Sequence, residues 1–337
     1  MNLLIIGGTQ FVGRALTAEA LKRGYSVTLF NRGKTNPDLF PEAEKIAGDR
    51  DGDLSELEAR QWDAVIDTCG YVPRIVTLSA EKLYEKVERY VFVSTISVYA
   101  SLRQPGVNEE SPLNRELADE LTEEVNGETY GPLKVRCEEV VEQRYGERSL
   151  IIRPGLITGP HDHTDRFAYW PVRVAKGGDV LAPSLPERPI QHIDARDLAN
   201  FILNQTEKGA SGHFNATGPA YEQTMGELIE TTLGVSQSDA SVTWVDDQFL
   251  LDNEVSPFTE LPFWLPIMAP DYVGFMRVDC SKGIAAGLTF RPLKETVADT
   301  IAWNETRVDH VWTNTISEEK EREVLAAWRA REEESDS

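Results

Sequence analysis

Two residues that can move a proton stand four positions apart in Tyr130-Gly131-Pro132-Leu133-Lys134. On a helix, positions i and i+4 share a face. An ammonium beside a phenol lowers the phenol's pKa from about 10 toward neutrality, where it can act as a general acid or base. The run Tyr90-Val91-Phe92-Val93-Ser94-Thr95-Ile96-Ser97-Val98-Tyr99 ends an apolar stretch in hydroxyl residues. Thr95 in that run could hold a reacting oxygen beside Tyr130.

A second constellation opens the chain. Ile6-Gly7-Gly8-Thr9-Gln10-Phe11-Val12-Gly13 follows a short apolar run and precedes a helix-period segment. There, glycines let backbone N–H groups and a helix N-terminus hold a pyrophosphate. Gly7, Thr9, Gln10, Phe11, Val12 and Gly13 are therefore candidate dinucleotide contacts, although Gln10 stands where a glycine usually allows close approach. An acid at the end of the second strand would bind the ribose hydroxyls of NAD. The chain offers Asn31-Arg32-Gly33-Lys34 instead. Asn31, Arg32 and Lys34 suit a 2′-phosphate, so NADP is slightly favoured over NAD. Asp49 and Arg50 after the third strand, and Cys69, Gly70 and Tyr71 after the fourth, complete the expected cofactor edge.

These groups need a scaffold that gathers strand ends. Apolar runs at 2–6, 26–31, 44–47, 64–68, 90–94 and 149–153 alternate with helical periods at 13–23, 77–86 and 130–145. Such alternation predicts a parallel sheet covered on both faces, with its ligand crevice at the carboxyl ends of the strands. The expected fold is α/β, a doubly wound parallel sheet (Rossmann type) with a smaller, interleaved α/β substrate lobe. Residues 1–158 would form the dinucleotide-binding domain, with 190–205 returning to it. Residues 159–189 and 206–337 would form the substrate lobe and a C-terminal helix. Within the lobe, 255–275 is proline-broken and apolar, suited either to a pocket wall or to the lobe's own core.

Taken together, these motifs resemble the extended short-chain dehydrogenases/reductases, specifically the NAD-dependent epimerase/dehydratase family. Further anchors are Arg153-Pro154-Gly155 running to Gly159-Pro160, Ile193 to Ala199, Asn215 in His213–Gly218, and Asp279 to Lys282 leading to Phe290-Arg291-Pro292. The resemblance covers nearly the whole chain. It implies Tyr130 as acid/base, Lys134 lowering its pKa and binding the nicotinamide ribose, and Thr95 in the Ser/Thr position. Ser94, Pro154 and Leu156 would lie along the cofactor. An oxidoreductase and a nucleotide-sugar epimerase share this core. A dehydratase usually adds an Asp-Glu pair after the Thr, where this chain has Ile96-Ser97. Arg188 lies near the position of an arginine that grips a sugar nucleotide's diphosphate, and no second one precedes Asp279. Tyr71, Ser97, His161, Arg166 and Arg188 are the candidate substrate contacts. The Gly7-Gly8-Thr9 turn with a non-glycine at position 10 also resembles the chloroplast stem-loop RNA-binding branch of this superfamily. Folds of this kind often form a homodimer through a two-helix contact.

The 337 residues carry 56 acids and 34 Lys and Arg, a formal net charge of −22. Nucleic-acid phosphates and anionic membranes both need clustered bases, so neither is an expected partner. A small-molecule substrate is. Residues 109–128 hold eight acids against Arg115 alone, an acidic border just ahead of Tyr130. Cys69, Cys137 and Cys280 show no paired spacing, which fits a reduced, cytoplasmic setting. No basic region precedes the first apolar run, so no secretory leader is expected. His161-Asp162-His163 lacks the i, i+4 spacing of helical zinc sites, and no metal is expected.

Overall fold

The computed structural model describes the chain except residues 267–268, 270–271 and 336–337. In chain order its first lobe contains β1 (Asn2–Ile6), α1 (Phe11–Lys22), β2 (Ser26–Asn31), β3 (Glu44–Ala47), β4 (Trp62–Asp67), α2 (Pro73–Leu83), β5 (Val87–Val93), α3 (Tyr130–Tyr145) and β6 (Ser149–Pro154). Then follow β7 (Leu156–Thr158), α4 (Tyr169–Ala175), β8 (Asp179–Pro183), β9 (Pro189–Asp194), α5 (Ala195–Glu207), β10 (Gly212–Ala216), β11 (Gly218–Thr224), α6 (Met225–Ser236), β12 (Ser241–Val245) and α7 (Asp247–Asp252). The last three helices are α8 (Ser281–Ala286), α9 (Leu293–Glu305) and α10 (Glu318–Ser335).

Seven strands form one sheet in the order β10-β6-β5-β4-β1-β2-β3, every pair parallel. The reason is visible in β1. Strand side chains alternate between faces; here Leu3 and Ile5 join the core under α1 and α5, while Leu4 and Ile6 join the core under α2 and α3. A strand apolar on both faces must be covered on both, which gives the doubly wound arrangement. The strand order reverses between β1 and β4, and the crevice at that switch point carries the site. A buried Arg153–Glu138 ion pair, each side chain 1% exposed, fastens β6 to α3.

The domain boundaries expected from the sequence need two corrections. β10, within the stretch assigned to the second lobe, is the seventh strand of the large sheet, paired to β6. Conversely, β9 leaves that sheet and pairs with β7 and β11, and only α5 returns to pack on α1. The second lobe has its own core around Phe167, Trp170, Leu228, Phe263 and Trp264, with β8 and β12 paired at its edge. The three cysteines are free. Among the described residues no helix is long and apolar enough to cross a membrane.

Candidate functional site

A cleft of about 1090 Å³ runs along the carboxyl ends of β1, β2, β4 and β5 and under the second lobe. That is at or above the upper end of the range for one small ligand, room enough for a dinucleotide and a second molecule.

One end is the glycine turn. Gly7 and Gly8 have φ of 106° and 94°, the left-handed region that glycine adopts freely. A Cβ on Gly13 would stand 2.6 Å from the Gly8 backbone nitrogen, so the helix can approach the turn only with glycine there. Gln10 has φ −132° and ψ 136°, extended backbone open to any residue, which explains why no glycine is needed. Among the described residues, neither Gln10 nor another side chain caps the start of α1. The first-turn N–H groups therefore face the cleft without an internal partner, the arrangement that binds a pyrophosphate. Asn31 donates to the Gly7 carbonyl at 2.8 Å and Asn36 to that of Thr9 at 2.9 Å. These two amides fix the turn against β2; Asn36 went unnoticed in the sequence because nothing local marks it.

Arg32 and Lys34 are exposed and line the cleft at the end of β2, as does Asp49 nearby. Arg50 also borders it, but its guanidinium is taken by Asp67 at 2.7 and 2.8 Å and Ser79 at 2.7 Å. Burial opposes both charges, yet their mutual attraction wins: the Asp67 carboxyl lies below its ordinary value and Arg50 above. Arg50 is thus fixed in place at the border of the cleft. Gly70 and Pro154 do not line the cleft; Cys69, Gly155 and Leu156 do. Gly70 instead packs on the Phe92 ring, which a Cβ would meet at 2.5 Å.

At the centre, Tyr130 opens α3 beside Thr95, and Ser94, Thr95, Ser97 and Lys134 line the same wall. Thr95 caps the short turn 96–98, accepting from the Ser97 N–H at 3.1 Å. A Cβ on Gly131 would come 2.3 Å from the Ser97 carbonyl. Glycine after the tyrosine is what lets α3 press against this turn, a requirement not read from the sequence. Burial pushes the Tyr130 phenol above its usual range, while a hydrogen bond with Thr95 and the charge of Arg166 pull it back. Tyr71, 46% exposed, tilts against Tyr130 with ring centroids 6.4 Å apart.

Lys134 lines the cleft and is also held from within the fold. Its side chain is 2% exposed, and its ammonium donates to the carbonyls of Gly70 at 2.8 Å and Val93 at 2.7 Å. It also lies 4.1 Å from the Phe92 ring centroid. Burial pushes its pKa down to about 8, against the pull of Cys137, Asp67 and Glu138. The cation whose charge lowers the Tyr130 pKa is Arg166, from the second lobe.

Of the five substrate candidates, Tyr71, Ser97 and Arg166 line the cleft. His161 and Arg188 do not. His161 packs edge-on against Trp303 at 5.4 Å, where burial, with Arg14 and Arg196, pushes its pKa down to about 4. Arg188 is held by Ser184 at 2.7 Å and Asp247 at 3.2 Å. His163 and Thr164 border the cleft in their place, and the His163 ring meets Phe11 edge-on at 6.2 Å. Asp165, fully buried, accepts from Arg307 at 2.6 Å and from the Thr313 N–H at 2.9 Å, fixing this loop to the segment before α10. The apolar segment 255–275 serves two ends: Phe258, Phe263 and Phe275 line the cleft, while Leu261, Phe263 and Trp264 fill the lobe core. Its residues 267–268 and 270–271, and with them part of the stretch read as lacking an arginine, lie outside the described residues. Among the described residues no group of three His, Cys, Asp or Glu side chains is placed to share a metal.

A glycine turn and an uncapped helix at a switch point place the candidate site in the crevice of a doubly wound α/β fold. Solved structures narrow the fold. The enzyme WbmH of Bordetella bronchiseptica in complex with NAD+ superposes with a TM-score of 0.68 at 17% identity, covering 90% of this chain and 98% of that one. UDP-glucuronic acid 4-epimerase from Bacillus cereus in complex with NAD gives 0.65 at 15% identity, over 90% and 99%. UDP-glucose 4-epimerase of Thermotoga maritima with UDP-glucose gives 0.62 at 18%, over 90% and 99%. The chain shares the fold of these structures. No protein-family model matches it. A curated relative, the chloroplast stem-loop binding protein of 41 kDa b from Arabidopsis thaliana, is 27% identical over 244 residues, 65% of this chain. The match spans 59% of that relative's length.

Proposed function

We propose that this protein is an NAD(P)-dependent oxidoreductase acting on a secondary alcohol or carbonyl of a sugar-like small molecule, with Tyr130 as the acid/base. The observation that carries this reading is the meeting of Tyr130 and Thr95 in the same cleft as the glycine turn and the uncapped start of α1. A bound nicotinamide dinucleotide would supply the hydride donor or acceptor. The α1 N-terminus and Gly7–Gly13 would hold its pyrophosphate. Tyr130 takes the proton from the substrate hydroxyl in oxidation and returns it to the carbonyl oxygen in reduction. Thr95 orients that oxygen. The Lys134 ammonium, pinned to two carbonyls, holds Gly70 and Val93 together under the reacting groups.

Arg32 and Lys34 have no acidic partner among the described contacts and favour a 2′-phosphate. NAD, named with the WbmH and Bacillus cereus structures, is the alternative. In Arg32→Ala/Lys34→Ala, NADP affinity is expected to fall about tenfold or more with NAD affinity nearly unchanged, as loss of charge-assisted contacts to a phosphate dictates. Equal losses for both dinucleotides, in fluorescence titration, would argue for NAD.

The epimerase neighbours favour a second reading, nucleotide-sugar epimerisation. Against it stands Arg188, occupied by Asp247 and Ser184. Substrate-dependent change in nicotinamide absorbance supports the oxidoreductase; isomerisation without net absorbance change supports the epimerase. The likeness to a stem-loop binding protein raises RNA binding, which the net charge of −22 opposes. A gel shift with stem-loop RNA at physiological salt would reverse that exclusion.

A further inference from the structure

Arg166 enters the cleft from the second lobe beside Tyr130, and its charge reaches the phenol. Its guanidinium lies over the Phe258 ring at 5.1 Å, a stacking that arginine tolerates well. No carboxylate within the described residues forms an ion pair or hydrogen bond with it, and its buried Nε has no partner at all. The acid that feels its charge is Asp162, four positions earlier in the same loop. Burial pushes the Asp162 carboxyl up, against the pull of Thr164, His163 and Arg166, and its Oδ2 is likewise unpartnered. Asp162 therefore compensates Arg166 poorly. A buried donor without an acceptor is destabilising, and a ligand oxygen would relieve it.

The other cations of the cleft are placed elsewhere. Arg32 and Lys34 sit at the β2 end, Arg50 is paired with Asp67, and Lys134 is held by two carbonyls. Phe258, Phe263 and Phe275 line the same cleft as Arg166, as does Glu128 from the acid-rich 109–128 segment. One guanidinium matches one negative charge, and the acidic border disfavours a second.

We propose that Arg166 anchors a carboxylate of the substrate next to Tyr130, so that the substrate class is a free sugar acid or comparable hydroxy acid, bearing one carboxylate and no diphosphate. Arg–carboxylate pairing is planar and can be bidentate, which would fix both the distance and the rotation of the reacting carbon relative to the phenol. The proposal rests on the oxidoreductase reading of the site and specifies what that site selects.

The test uses the full chain saturated with dinucleotide and two matched pairs of probes, glucuronate against glucose and gluconate against glucitol. Binding is followed by calorimetry, and dinucleotide affinity is measured separately in the same samples. At least one acid is expected to bind more tightly than its neutral partner, with the difference reduced about tenfold or more in Arg166→Gln and partly restored in Arg166→Lys. Equal binding of acid and neutral partner, no binding of either acid, or an unchanged preference in a folded Arg166→Gln overturns the proposal. If Arg166→Gln does not fold, the preference of the native chain and its change in Arg166→Lys decide. Failure of dinucleotide binding in the native chain overturns the oxidoreductase reading instead. An acid preference that survives in Tyr130→Phe while turnover is lost separates anchoring from proton transfer.

Discussion

Tyr130, Thr95 and Lys134 were readable because their chemistry lies in short spacings: a helix register and a strand end. What each contacts was not. Lys134 spends its ammonium on carbonyls 41 and 64 positions away, and the cation beside Tyr130 is Arg166, 36 positions along the chain. The partners of Arg50, His161 and Arg188 were hidden for the same reason, since Asp67, Trp303 and Asp247 reach them from elsewhere in the sequence. Lys134 gives a pH prediction. With its pKa at about 8 in the fold against 10.5 unperturbed, unfolding takes up a proton between those values. Through this group the fold therefore gains stability as pH rises from 8 toward 10.5, by about 3 kcal/mol at most. Below pH 8 the ammonium is charged in both states and the burial cost is constant. Urea unfolding across this window should show a stability rise in the native chain that shrinks in Lys134→Met. An identical slope in the two proteins would contradict the buried-ammonium account.

At the scale of elements, the sheet was legible because buried parallel strands are continuous apolar runs: β1, β2 and β3 fall where the sequence puts them. β10 was missed because Gly212-His213-Phe214-Asn215-Ala216 is a short, half-polar edge strand without that signature. The mixed sheet of β7, β9 and β11 is set by long-range pairing that no local pattern announces. The β1–α1 unit makes its own prediction. Gly13→Ala would place a methyl against the Gly8 backbone nitrogen, and backbone cannot swing aside as a side-chain tip can. A loss of about 1–3 kcal/mol in stability is expected from such overpacking, with dinucleotide affinity falling at least as steeply. A stable Gly13→Ala with native dinucleotide affinity would show that the helix does not need this approach.

For the whole molecule, charge and shape act together. The chain carries a net −22, while Arg32, Lys34 and Arg166 line its cleft, so an acidic excess that repels polyanions leaves local positive charge for the proposed dinucleotide and substrate. Self-repulsion of that excess should also weaken the fold at low ionic strength. Raising salt from about 0.15 M to about 1 M shortens the screening length from about 8 Å to about 3 Å, and the melting temperature is expected to rise over that range. A flat or falling melting temperature would mean that specific ion pairs, such as Arg74 with Asp51 and Glu123, outweigh the general repulsion. The reaction proposed for the cleft is hydride transfer between a dinucleotide and a small hydroxyl or carbonyl compound, with Tyr130 moving the proton. The direct test is nicotinamide-linked turnover in Tyr130→Phe beside the native chain, with dinucleotide affinity measured in both. A loss of about 10²–10⁴-fold in turnover with dinucleotide affinity retained is the expected result; turnover equal to native in Tyr130→Phe would contradict the claim.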